Sequence, residues 1–102
     1  MNQEVFLQKI KSRVLQEDEN ASVILFGSRA RGDFREDSDW DILVLTNKDL
    51  GFLTKRKIRD DIYEVELEYT QAVSTIILDK DKWKSMSITP LYQNIADEGK
   101  VL

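Results

Sequence analysis

The chain has 102 residues, of which 41% are hydrophobic and 33% charged, and its 15 Lys and Arg against 19 Asp and Glu leave a formal net charge of −4. That length fits one domain over residues 1–102, and the balance is that of a soluble, highly charged globular fold and not of a disordered segment. Without cysteine or histidine, disulfides, thiolate metal sites, histidine bases and most zinc sites are excluded, and the acidic balance argues against nucleic acid as a partner.

In chain order, Phe6, Ile10 and Val14 recur every fourth residue and predict a helix over 3–17, ended by the polar run 17–20. The apolar run 22–26 predicts a strand stopped by Gly27, and residues 28–31 fit about one helical turn closed by Gly32. Residues 40–46 predict a second strand, apolar enough to be buried on both faces. Residues 47–51 read as a loop. Ile58, Ile62, Val65 and Tyr69 predict a long helix over 54–69, and 72–78 reads as a third strand. Residues 79–87 fit no single element. Thr89-Pro90 starts a last helix, with a hydroxyl cap and proline at its first position, running to Glu98 before Gly99. The order predicts an α/β fold, a small sheet of three to four strands with helices packed on it. No apolar run reaches the length of a membrane span, and the N-terminus lacks the pattern of a signal peptide. The expected location is the cytoplasm, with no membrane partner.

Chemistry concentrates in residues 27–41. A strand running into Gly27-Ser28 at a helix start offers free backbone N–H groups and a hydroxyl to an anion such as phosphate, although many ordinary turns share this form. Asp39 and Asp41 lie two apart at a strand entrance, so their side chains share a face with Cα atoms about 6.5–7 Å apart. Two such carboxylates repel by about 3 kcal/mol at ~5 Å with an effective dielectric of 20. A divalent cation relieves this, and Mg²⁺ takes one or two carboxylates plus substrate phosphates. The alternative is turn chemistry, with Asp37 or Ser38 capping a loop.

Gly27-Ser28-x-Ala30-x-Gly32, followed after five residues by Ser38-Asp39-x-Asp41-Ile42-x-Val44, resembles the motif of the DNA polymerase beta-like nucleotidyltransferase superfamily. At this length the chain resembles its minimal nucleotidyltransferases (MNT). The resemblance implies a nucleotidyltransferase-like fold and an enzyme moving a nucleoside monophosphate, AMP from ATP, onto an acceptor hydroxyl. Gly27 and Ser28 would hold the β- and γ-phosphates, and Ser38 belongs to the same nucleotide-binding set. Asp39 and Asp41 would bind Mg²⁺. Arg29 and Arg31 would offset triphosphate charge, but on one helical turn both cannot face the ligand, and a solvated helix surface is the alternative. The resemblance also implies a HEPN-type protein partner, with the chain as antitoxin of a toxin–antitoxin pair, in some cases by adenylylating a toxin tyrosine.

One departure stands out. The family places a third carboxylate on the next strand, yet residues 72–78 contain no Asp or Glu. Glu68 is the candidate substitute if its helix ends early; otherwise Glu64, Glu66 and Glu68 form an exposed acidic helix end. Trp40 and Trp83 are expected to be buried, Tyr63, Tyr69 and Tyr92 to belong to the core, and the lysines at 80, 82 and 84 to be solvated. Two functions follow: an adenylyltransferase acting on a protein, or a catalytically weak binding module that neutralises its partner by forming a complex. Transfer to an aminoglycoside or another small molecule uses the same motif but generally involves an additional domain.

Overall fold

The computed structural model describes residues 1–47 and 51–102. Its elements are α1 (Gln3–Glu17), β1 (Ser22–Phe26), α2 (Ser28–Arg31), β2 (Trp40–Thr46), α3 (Phe52–Tyr69), β3 (Val73–Asp79), α4 (Lys80–Ser85), α5 (Pro90–Glu98) and β4 (Lys100–Val101). The four strands form one mixed sheet in the order β3-β2-β1-β4. Strand β1 runs antiparallel to β2 and places Phe26 opposite Asp41. The crossover through α3 returns β3 parallel to β2, with Val73 beside Trp40 and Ser74 beside Asp41.

Strand alternation gives the sheet two apolar faces. On one, Val23, Leu25, Trp40, Ile42, Val44 and Ile77 pack against Phe6, Ile10 and Val14 of α1 and Ile58, Ile62 and Val65 of α3. On the other, Leu43 and Leu45 pack against Trp83 of α4 and Ile95 of α5. Strand β2 is therefore covered on both sides, and Asp41 is its one residue not fully buried. Phe6 stacks at 5.2 Å on Trp40 and at 5.4 Å, edge-on, against Tyr69, which locks α1, β2 and α3 together. Arg13 of α1 adds ion pairs to Asp61, at 3.2 Å, and to Glu64 of α3.

Several boundaries differ from the sequence expectation. Helix α3 starts two residues early, at Phe52, and β3 starts one residue late, at Val73. The ambiguous segment after β3 is helical over Lys80–Ser85 because the Asp79 side chain caps it, accepting from Lys82 N at 2.7 Å. Strand β4 was not anticipated; two residues carry no pattern of their own and are held by pairing with Ile24 and Leu25. Of the expected loop over 47–51, residues 48–50 lie outside the described residues. Both tryptophans are buried. Tyr63 does not join the core: it is 57% exposed on the outer face of α3. Among the described residues no helix is long and apolar enough to cross a membrane.

Because Phe6 joins three elements, Phe6→Ala is expected to cost about 3–5 kcal/mol. Urea denaturation checks this, with the loss appearing in the midpoint and not in the slope.

Candidate active site

The site begins where β1 stops. Gly27 has φ 73° and ψ −159°, a conformation open essentially to glycine alone. Space demands the same residue, since a Cβ here would lie 2.1 Å from Oδ2 of Asp41. The missing side chain thus lets the turn after β1 close onto the Asp41 carboxylate, at the second residue of β2. Ser28 opens the single turn of α2, and Gly32 closes it in the left-handed conformation at φ 90°, its N–H donating to Ser28 O at 2.9 Å.

Residues 33–39 then lead into β2, and Arg29 shapes them. It is 8% exposed. Its guanidinium lies 4.4 Å from the ring centres of both Phe34 and Trp40. It donates to the Glu36 carbonyl at 2.9 Å and to the Ser38 carbonyl at 3.0 and 3.2 Å. Arg29, expected to offset triphosphate charge, here directs its Nε and Nη2 donors into the loop. Ser38 is engaged the same way, its Oγ accepting from Arg35 N at 2.8 Å. The loop ends at Asp39, which is exposed, and Asp41 follows two residues on, half-buried.

The electrostatics of the pair match its placement. Burial, followed by the nearby charge of Asp39, pushes the Asp41 carboxyl above its ordinary pKa; Glu98 adds to this and Arg31 opposes it. Arg31 is the site's exposed cation, bonded to both oxygens of Glu98 at 3.1 and 3.2 Å and to Asp33 at 3.3 Å. Glu98 also accepts from Gly27 N at 3.3 Å. The sequence reading missed this residue. Its partners lie 67 and 71 positions away, and the only local signal was its place as the last residue before Gly99.

Glu68 does not join the site. It is exposed on α3, and α3 packs on the sheet face of Ile42 and Val44, whereas Asp41 shares the alternate face with Leu43 and Leu45. Glu66 is tied up by Val73 N, which donates to it at 2.6 Å. The position beside Asp41 on β3 is Ser74, so that strand contributes no third carboxylate. Among the described residues no group of three or more acidic side chains is arranged to hold a metal ion. Two mutually repelling carboxylates at a strand mouth, one with raised proton affinity, still suit a hard divalent cation that takes its remaining oxygens from a phosphate ligand.

A glycine-serine turn closed onto an Asp-x-Asp strand entrance, on a four-stranded mixed sheet, is the arrangement of a nucleotidyltransferase domain. Residues 7–102 match the nucleotidyltransferase domain family, and the chain belongs to it. It is 31% identical over 80 residues to a Methanocaldococcus jannaschii protein named "Putative protein adenylyltransferase", covering 78% of this chain and 75% of that one. The crystal structure of a "putative nucleotidyltransferase" from Sulfolobus solfataricus is 27% identical and superposes with a TM-score of 0.58, covering 79% of this chain and 70% of that one. A chain from the complex of tri-AMPylated HEPN toxin with MNT antitoxin from Shewanella oneidensis shares the fold at 19% identity, with a TM-score of 0.60 over 97% of this chain and 70% of that one.

Two outcomes follow. Arg29→Lys keeps the charge but loses the planar fork, and is expected to destabilise the chain by about 1–3 kcal/mol. It should also speed tryptic cleavage after Arg35, read by mass spectrometry. The raised pKa of Asp41 means that its ionised form opposes folding at neutral pH, an opposition that disappears once the carboxyl is protonated in both states. Asp41→Asn should therefore raise the melting temperature by roughly 2–8 °C at neutral pH, with the gap closing as pH falls below about 4. Thermal melts of both chains across this pH range check it.

Proposed function

We propose that this chain is a magnesium-dependent adenylyltransferase acting in the cytoplasm, moving AMP from ATP onto a hydroxyl of a protein partner of the HEPN type. The observation that carries this reading is the Asp39-x-Asp41 entrance of β2 closed against Gly27. Family membership and the naming of the Methanocaldococcus relative support it, and the toxin–antitoxin complex that shares the fold supports the choice of partner.

Asp39 and Asp41 would hold the magnesium, which neutralises triphosphate charge and makes the acceptor hydroxyl easier to deprotonate. Gly27 and Ser28 would hold the β- and γ-phosphates through backbone N–H groups and the Ser28 hydroxyl. Arg31 supplies a positive charge at the same edge. The acceptor oxygen forms its bond to the α-phosphorus as the bond to the bridging oxygen breaks and pyrophosphate leaves. With Ser74 in place of a carboxylate, the acceptor proton passes to solvent.

That same Ser74 favours a second reading, in which the chain binds its partner and neutralises it with little turnover. α-Labelled ATP incubated with the chain, Mg²⁺ and a HEPN-type partner separates the two. Transfer of label is expected from the unaltered chain, falling roughly a hundredfold or more in Asp39→Asn. Label that is absent throughout, with partner affinity intact in Asp39→Asn and Asp41→Asn, would leave the binding module standing.

A further inference from the structure

Glu98 closes α5, and its side chain turns onto the loop that follows β1. Oε1 accepts from the Gly27 backbone N–H at 3.3 Å, and both oxygens accept from Nη1 of Arg31, at 3.1 and 3.2 Å. A backbone N–H beside a guanidinium is a donor set for an anion, and a phosphate oxygen competes for the same groups. The carboxylate is held there by its surroundings. Gly99 N donates to Ile95 O at 2.8 Å. A Cβ at position 99 would come within 2.9 Å of the Ile24 side chain, so the chain passes tightly against β1. β4 then pairs with β1, and Leu102 N donates to Val23 O at 2.8 Å. The side chain of Glu98 is only 23% exposed.

We propose that Glu98 is a built-in competitor of the triphosphate: it occupies the Gly27 N–H and Arg31 in the nucleotide-free chain and must give way when a nucleoside triphosphate binds. The inference rests on the nucleotide-site reading above. It makes the end of α5 an autoinhibitory contact that sets nucleotide affinity. A phosphate oxygen cannot take the Gly27 N–H and Nη1 of Arg31 while the Glu98 carboxylate holds both. Displacement frees Arg31 for the phosphates.

The test is a calorimetric titration of Mg·ATP into the full chain, Glu98→Gln and Glu98→Asp, each first shown to be folded by circular dichroism. Glutamine removes the charge and keeps the shape, whereas aspartate keeps the charge and shortens the reach. Both variants are expected to bind roughly three- to tenfold more tightly than the unaltered chain. Binding by the unaltered chain with equal affinity in both variants overturns the proposal and leaves the nucleotide site standing. Weaker binding in Glu98→Gln also overturns it, and makes Glu98 a ligand of the bound complex. No binding by any of the three chains removes the nucleotide-site reading and the competitor with it.

Discussion

The guanidinium of Arg29 lies between the rings of Phe34 and Trp40 and donates to the carbonyls of Glu36 and Ser38. A cation this shielded from water is costly unless its donors are satisfied, and here two ring faces and two carbonyls replace the lost hydration. The consequence reaches well beyond one side chain. Trp40 is also the first residue of β2 and stacks on Phe6, which in turn meets Tyr69. One chain of contacts therefore runs from the helical layer, through the sheet, into the loop that carries Asp39. Asp41 is positioned by the core through β2, and the loop that carries Asp39 is tied to the same core through Arg29 and closed by its own Arg35–Ser38 bonds.

That rigidity is what lets the site keep an unfavourable charge arrangement. Asp39 and Asp41 repel, Asp41 is partly desolvated, and Glu98 stands close enough to add a third negative charge. Arg31 is the only nearby cation among those that shift Asp41. Asp39 already faces solvent, whereas Asp41 sits in a strand of fixed register and cannot swing away from Asp39. Local conflict retained inside an otherwise consistent fold is the pattern expected of a functional site.

How much of this was legible in the sequence follows from the range of each interaction. The Gly27-Ser28 turn and the Asp39-x-Asp41 entrance are local, and glycine and paired carboxylates keep their meaning whatever surrounds them. Helices α1 and α3 and strand β2 could be read because they bury whole stripes. Arg29 was read by charge, although its neighbours Phe34 and Trp40 decide its role, and a cation that prefers rings to solvent looks like any other arginine on paper. Glu98 and β4 depend on partners in β1 and the turn after it, more than 65 residues away, and no periodicity encodes that distance. Glu68 failed for a different reason. Spacing placed it near a strand, but spacing does not say which side of the sheet the helix covers.

The side of the sheet is also what constrains the chemistry. Strand alternation turns Asp41 toward the face covered by α4 and α5, and the parallel register sets Ser74 of β3 beside it. Any carboxylate that is to act with Asp41 must come from that face or from the strand ends. The α3 acids cannot, since that helix lies on the opposite layer. Helix α5 can, and it delivers Glu98, already bonded to Arg31 and the Gly27 N–H. The third acidic group at this site thus arrives beside the Gly27 N–H and Arg31 and not beside Asp41 on β3, where the register places Ser74. A carboxylate at the end of α5 is paired with a guanidinium, whereas one at position 74 would have added to the repulsion at Asp41 with no cation of its own.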